Sequence, residues 1–430
     1  MADTIFAMTT PRGKSGVAVI RVSGPDAKPV ASTLCGSLPE ARSASLRNIR
    51  DHDGTVLDQA LVLVFNSGQS FTGEDIVEFQ VHGSMAVTNA VLNCLSRFDG
   101  LRFAEAGEFT RRALVNERLD LTQVEGLADL IDSETEWQRR QAMKVFSGAL
   151  GAKVEDWRNK LIRAAALLEA TIDFADEDVP VDVFPEVISL LAHVRVDLDD
   201  KLTGAAVAER IRDGFEVAIV GPPNVGKSTL LNTLAGRQAA ITSEVAGTTR
   251  DVIEVRMDLD GMPVTLLDTA GLREAVDKIE EIGISHGIKR AKSADLRVFL
   301  HSGETDFHGI KPQSDDIEIR GKADLALGSE IAVSGKTGQG ISALLNNIRS
   351  VLASRAVGSQ TTTRLRHRVA IEKSSVMLRE LSGHLESRAI GAEIAAEDLR
   401  SAVRVLDSLV GRIGVETLLD EIFSSFCIGK

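Results

Sequence analysis

The spacing of hydrophobic and polar positions changes along this chain, and the changes divide it. In the first 117 residues, short apolar runs are separated by turn residues. Val17–Val22 and Ala60–Phe65 predict strands, and the near-alternating run Ile76–Val81 predicts a third. From Arg118 the period lengthens. Apolar residues recur at three- and four-residue steps through Leu119–Ser133 and Trp137–Leu150, and Arg158–Ala170 is rich in the strong helix formers Ala and Leu. From residue 213 strand and helix alternate. Glu216–Val220 predicts a strand and Ser228–Leu234 a helix, with Gly236 placed as its C-cap. Val252–Leu259 and Pro263–Leu267 predict strands joined by the hairpin dipeptide Asp260-Gly261. Leu296–Leu300, Ile317–Ile319 and Ile331–Val333 predict three more. This alternation implies a doubly wound, mostly parallel sheet. Helical texture returns over 356–430, opening on the basic stretch Arg364, Arg366, His367, Arg368.

Proline placement agrees. No proline lies between Pro39 and Pro180 or after Pro312, which leaves room for long helices. The expected architecture is therefore multidomain, α/β and α. An N-terminal α/β domain covers 1–117, and a helical domain is made from segments 118–212 and 356–430. The α/β unit 213–355 is inserted between those segments, as happens where chain ends lie close.

Composition narrows the classes. With 49 Lys+Arg against 62 Asp+Glu the net charge is −13, which excludes a general nucleic-acid coat and makes any RNA binding local. The first fifty residues depart from this, with seven Lys/Arg and three acids. Residues 169–200 carry ten acids and one Arg, as expected of a solvated helical face and a polar loop. Apolar runs of the size of Leu61–Phe65 and Ala164–Leu168 are too short for a membrane span. The start, with Asp3 and no basic n-region, does not read as a signal peptide. Cys35, Cys94 and Cys427 are odd in number and widely spaced, which argues against disulfides and a cysteine zinc site and for a reducing cytoplasm.

The strongest chemical signal is GPPNVGKST at 221–229. It fits G-x-x-x-x-G-K-[ST] and stands between a predicted strand and helix. Backbone N–H groups of Asn224, Val225, Gly226 and Thr229 are expected around phosphate, with Lys227 on the β- and γ-oxygens and Ser228 on Mg²⁺. Asp268-Thr269-Ala270-Gly271 ends a predicted strand. Asp268 is expected to hold Mg²⁺ through water and the Gly271 amide to meet the γ-phosphate. Gly247-Thr248-Thr249 lies between these motifs, where a threonine can close the Mg²⁺ shell. Gly321-Lys322-Ala323-Asp324 follows a strand, and Asp324 can accept from guanine N1–H and its exocyclic amine. Together the four predict a GTPase. Leu272 occupies the place of the water-positioning glutamine of small G proteins, and no arginine finger is evident.

The whole chain resembles the MnmE (TrmE) family of tRNA modification GTPases. The likeness runs through DTIFAMTTPRGKSGVAVIRVSGPDA (3–27), SFTGEDIVEFQVHG (70–83), AGEFTRRALVNERLDLTQVEGLADLI (106–131), the nucleotide motifs and the ending IFSSFCIGK (422–430). The resemblance implies a folate-binding, dimerising N-terminal domain, a two-segment helical domain and an inserted G domain. It implies a homodimer that works with an FAD-binding partner protein as a heterotetramer. Together they build a (carboxymethyl)aminomethyl group on C5 of the wobble uridine of certain tRNAs, the carbon coming from 5,10-methylene- or 5-formyl-tetrahydrofolate. No G-x-G-x-x-G occurs here, in keeping with FAD on the partner only.

By the same resemblance, Asn224, Ser243, Val245 and Thr248 form a K⁺ site that neutralises developing charge. Ser228 and Thr249 are the Mg²⁺ ligands, and Glu244, Ala246 and Gly247 belong to the GTP-binding loop. Glu280 positions the attacking water, with Lys227 and Thr249 completing the catalytic set. Ser334, Gly335 and Lys336 form the second base loop. Arg21, Glu78, Arg118 and Lys430 are the folate contacts, and Cys427 is a candidate for the chemistry. Arg118 stands where the family has lysine, which keeps charge but changes geometry. Gly321 replaces the asparagine of N-K-x-D and Gly335 the alanine of S-A-K. On the sequence alone, Gly321→Asn is expected to restore a lost contact and tighten guanine-nucleotide binding several-fold. The stretch His301–Asp316 is short for a crossover helix. The competing reading is an RNA-binding ribosome-assembly GTPase without modifying activity, against which the N-terminal motifs and the C-I-G-K ending argue.

Overall fold

The computed structural model describes residues 3–173, 182–237, 240–241, 254–268, 288–303, 307, 309–325, 332–356, 361–413, 419, 422–423, 426 and 429. The chain forms two compact units, residues 1–128 with 407–430 and residues 129–406.

The first unit is built on a six-stranded sheet. In chain order its strands are β1 (Thr4–Met8), β2 (Ser15–Ser23), β3 (Ser45–Arg50), β4 (Val56–Phe65), β5 (Ile76–Gly83) and β6 (Leu101–Phe103). Their spatial order is β3-β4-β5-β2-β1-β6. The β1–β6 pair is parallel and the others antiparallel. The three strands expected from apolar runs are all present. Alternation decides the buried face: Ala60, Val62 and Val64 of β4 are buried while Leu61 is exposed. Helices α1 (Ala27–Cys35) and α2 (Met85–Leu95) cover that face through Val30, Leu34, Val91 and Leu95. Helices α3 (Glu108–Val115) and α4 (Leu121–Ile131) follow. Val124 of α4 packs with Phe423 and Phe426 near the chain's end.

The second unit joins a helical bundle to an inserted sheet. Its helices α5 (Glu136–Phe146), α6 (Ala149–Asp173) and α7 (Phe184–Asp213) precede the sheet. Trp137–Leu150, expected as one helix, is broken: α5 ends before Ser147 and Gly148 takes a left-handed φ of 84°. Helices α10 (Leu365–Glu386) and α11 (Ala392–Leu409) come after the sheet and after α9 (Ile341–Arg355). The flanking segments pack together as expected. Ser375 of α10 donates to Asp199 of α7 at 2.6 Å, and the buried Trp157 of α6 donates to Asp197 of α7 at 3.3 Å.

The inserted sheet has the order β11-β10-β7-β9-β8, from β7 (Phe215–Val220), β8 (Glu254–Leu259), β9 (Met262–Asp268), β10 (Leu296–His301) and β11 (Ile317–Arg320). All neighbours are parallel except the β8–β9 hairpin. Two details differ from the sequence reading. Ile331–Val333 contributes, among described residues, only a single bridge from Ala332 to Arg320. Val333 N–H donates to Arg320 O at 2.8 Å, and Val333 O accepts from Ala323 N–H of loop 321–325 at 3.1 Å. Between β10 and β11 no helix occurs among described residues. Phe307 and Ile310 fill the space against Phe299, with the two phenyl centroids 4.8 Å apart.

Candidate functional site

Strand β7 is fully apolar at its end and delivers the chain to loop 221–226, after which α8 (Lys227–Ala235) begins. Asn224 and Gly226 take left-handed φ angles of 62° and 110° to make the turn. Lys227 is 5% exposed, and its ammonium donates to the carbonyls of Gly221 at 2.7 Å and Pro222 at 2.9 Å. Burial pushes its pKa below the ordinary lysine value, with the Asp268 carboxylate opposing in part. A buried cation at a helix N-terminus is an anion site, because the helix's first N–H groups and its dipole act in the same sense as the ammonium. Ser228 Oγ donates to Asp268 Oδ2 at 3.0 Å, at the end of β9. Two such oxygens suit a hard divalent cation.

The opposite wall comes from the strand ends beyond β11. Ser334, 1% exposed, donates to Asp324 Oδ1 at 2.6 Å and accepts from Thr337 N–H at 3.2 Å. That bond from Ser334 holds the Asp324 carboxyl below its ordinary pKa, so Asp324 presents a charged acceptor. Loop and helix enclose one cavity of about 560 Å³, lined by Asn224, Val225, Gly226, Lys227, Ser228 and Thr229 on one side and by Lys322, Asp324, Ser334, Gly335 and Lys336 on the other. Its volume is that of a small-molecule site. Every described residue predicted for GTP lines this cavity except Asp268, which reaches it through Ser228.

Gly321 also lines it, packed against the phosphate loop. A Cβ at this position would stand 2.7 Å from the Val225 carbonyl oxygen. The space an asparagine needs is already taken by backbone, so the gain expected from Gly321→Asn does not follow.

A second group of predicted residues meets in the first unit. Arg21 of β2 and Glu78 of β5 are register partners, and Arg21 Nε donates to Glu78 Oε1 at 2.8 Å. The Arg21 guanidinium lies 5.6 Å from the Phe71 ring centre and 5.4 Å from that of Phe109. The Arg118 side chain lies against Gly73, in the loop that carries Phe71. Gly429 lies against Met8 and Thr9, so the end of the chain reaches β1, whose Ala7 pairs with Arg21. The sequence reading missed Phe71 and Phe109. Both stand inside the stretches that carry the resemblance, but nothing in their spacing marks them as neighbours of Arg21. The predicted residues Ser243, Glu244, Val245, Ala246, Gly247, Thr248, Thr249, Thr269, Ala270, Gly271, Glu280, Cys427 and Lys430 lie outside the described residues.

The strand–loop–helix with its buried lysine, the paired Ser228 and Asp268, and the Ser334-held Asp324 define a P-loop nucleotide-binding protein of the GTPase class. Comparison with known proteins is more specific. The family described as "GTP-binding protein TrmE N-terminus" matches residues 4–118, and "MnmE helical domain" matches residues 121–427. Curated relatives named "tRNA modification GTPase MnmE" include those of Roseobacter denitrificans at 62% identity, Ruegeria pomeroyi at 60% and Cereibacter sphaeroides (strain ATH 2.4.3) at 59%. Each alignment covers 100% of both chains. This chain belongs to the MnmE family of tRNA modification GTPases.

Proposed function

We propose that this protein hydrolyses GTP in the cavity between loop 221–226 and loops 321–325 and 334–336, and that hydrolysis gates modification of C5 of a tRNA wobble uridine. The observation that carries the reading is a single cavity with a buried lysine at one end and an oriented carboxylate at the other. Lys227 exchanges its two carbonyl partners for β- and γ-phosphate oxygens. Asp324, oriented by Ser334, accepts from guanine N1–H and the exocyclic amine, a pairing that adenine cannot reproduce. Lys322, Lys336 and the Gly335 backbone border the base.

Ser228, with Thr249, would hold Mg²⁺ and Asp268 would support it through water; the oxygen pair at Ser228 and Asp268 fits that ion. When bound, it supplies charge neutralisation on the phosphates. Asn224, exposed at the loop, would hold K⁺ with Ser243, Val245 and Thr248. Glu280 would orient the attacking water. The chain would divide into a domain of 1–117, a helical domain from 118–212 and 356–430, and a G domain of 213–355.

Arg21, Glu78, Arg118 and Lys430 would hold a tetrahydrofolate. Support comes from the Arg21 guanidinium set beside the partly exposed Phe71 ring, with the buried Phe109 behind it, and from the arrival of the chain's end beside β1. A flat heterocycle and an anionic glutamate tail need such stacking surfaces and positive charge. The protein would act in the cytoplasm as a homodimer with an FAD-carrying partner protein; among the described residues no helix is long and apolar enough to cross a membrane.

The test is mass spectrometry of tRNA wobble uridines from a deletion strain complemented with the wild type or with Lys227→Ala. Restoration by the wild type alone is expected. Modification restored equally by both would refute the link between hydrolysis and modification. GTP turnover should also rise at least about tenfold when K⁺ replaces Na⁺, and equal rates at matched ionic strength would remove the K⁺ site.

A further inference from the structure

Two glycines stand where the usual GTPase motifs N-K-x-D and S-A-K have side chains, and both lie at close backbone approaches. At Gly321 a Cβ would meet Val225 O at 2.7 Å and Leu300 Cγ at 3.3 Å. At Gly335 it would meet Leu230 N at 2.7 Å and the Thr229 carbonyl carbon at 2.8 Å. In both places the nearest atom is backbone, which cannot rotate away. The first contact seats loop 321–325 on the phosphate loop; the second seats loop 334–336 on the first turn of α8. The second loop is also tied by a side chain. Thr233 Oγ donates to the Gly335 carbonyl at 2.5 Å, and it lies 2.9 Å from the Thr229 carbonyl of its own helix. The two loops are joined by Ser334 Oγ on Asp324 and by Ala323 N–H on Val333 O.

We propose that Gly321, Gly335 and Thr233 are positioning residues that set the width and register of the guanine slot by docking both base-reading loops directly on the phosphate loop and α8. Direct backbone apposition replaces the tie that the asparagine side chain of N-K-x-D would make. The phosphate end and the base end then form one rigid body, and the position of Asp324 relative to Lys227 is fixed by contacts outside the nucleotide. Adding a side chain at either glycine pushes a loop outward. It therefore weakens recognition of the base and leaves the phosphate end intact. This inference rests on the reading of the cavity as a guanine-nucleotide site.

The test is calorimetric titration of the full-length chain with GDP, IDP, ADP and tripolyphosphate, the last being a phosphate probe without a base. Gly321→Ala and Gly335→Ala should each lower GDP affinity by about tenfold or more, as overpacking against backbone does. Thr233→Val, which keeps the volume, should lower it roughly 3- to 15-fold. Tripolyphosphate affinity should not change in any of them. The preference for GDP over IDP, which lacks the exocyclic amine, should shrink in all three. Equal losses for GDP and tripolyphosphate would overturn the proposal, since the variants would then have damaged the phosphate loop or the fold. Unchanged GDP binding would overturn it as well. A wild type that binds ADP as tightly as GDP would overturn the guanine reading itself, and the proposal with it.

Discussion

Replacing Gly261 by alanine tests how the inserted sheet is held to the helices before it. Asp260 and Gly261 form the β8–β9 turn with φ of 52° and 87°. The Gly261 carbonyl accepts from Trp137 N–H at 2.9 Å, and its N–H donates to Asp258 Oδ1. Gln138, beside Trp137, donates to Arg212 O at 2.8 Å, so the start of α5 grips both the hairpin and the end of α7. A Cβ at 261 would lie 3.0 Å from Trp137 Cδ1 and 3.3 Å from Glu136 Cβ. The left-handed conformation costs an alanine about 1 kcal/mol. Pushing the indole aside adds about 1–2 kcal/mol, the lower part of the overpacking range, because Trp137 is only partly buried. The sum of about 2–3 kcal/mol corresponds to roughly 30- to 150-fold faster local opening. Amide hydrogen exchange of the 254–268 peptide, followed by mass spectrometry, reads this directly and does not require the whole chain to unfold in one step. In a Trp137→Ala background only the conformational part should remain, about 1 kcal/mol or some fivefold. The same cost in both backgrounds would refute the contact as the source of the strain.

Asp268→Asn should reduce Mg²⁺-dependent GTP hydrolysis roughly 10- to 100-fold, with GDP binding in EDTA little altered; wild-type turnover would separate Asp268 from the ion. In the first unit, burial raises Glu108, but bonds from Arg102, the Glu105 N–H and Arg112 outweigh it and hold its carboxyl below the ordinary value. A depressed folded pKa gives stability that is present above the unfolded value of about 4.3 and lost as pH falls through the folded one. The wild type should therefore lose melting temperature below about pH 5 more steeply than Glu108→Gln does, and parallel acid profiles would refute the role. Burial, with a bond to Asp51, raises the Cys94 thiol to about 12. Iodoacetamide at pH 8 should label Cys94 only after denaturation, and rapid labelling of the native protein would contradict its burial.

Much of this protein is readable from the chain alone, because much of it is set by neighbours in sequence. The run Glu216–Val220, the glycines and lysine of 221–227 and the apolar steps of α8 sit within one strand–loop–helix, so their spacing already states the geometry. Asp260-Gly261 likewise carries its left-handed turn locally. The short stretch before β11 announced that no full helix would fit there, and none occurs among its described residues. Other features depend on approach between distant segments. The Arg21 guanidinium finds Phe71 and Phe109 only when β2, the loop before β5 and α3 are folded together. Gly321 shows the difference most clearly. The sequence records a missing asparagine side chain, and from that alone a lost hydrogen bond and a weaker site follow. Folding brings the Val225 carbonyl into the vacated space, and the same glycine becomes a point of contact. Periodicity and spacing report what each segment does by itself; where one backbone stops against another is decided by packing summed over the whole domain.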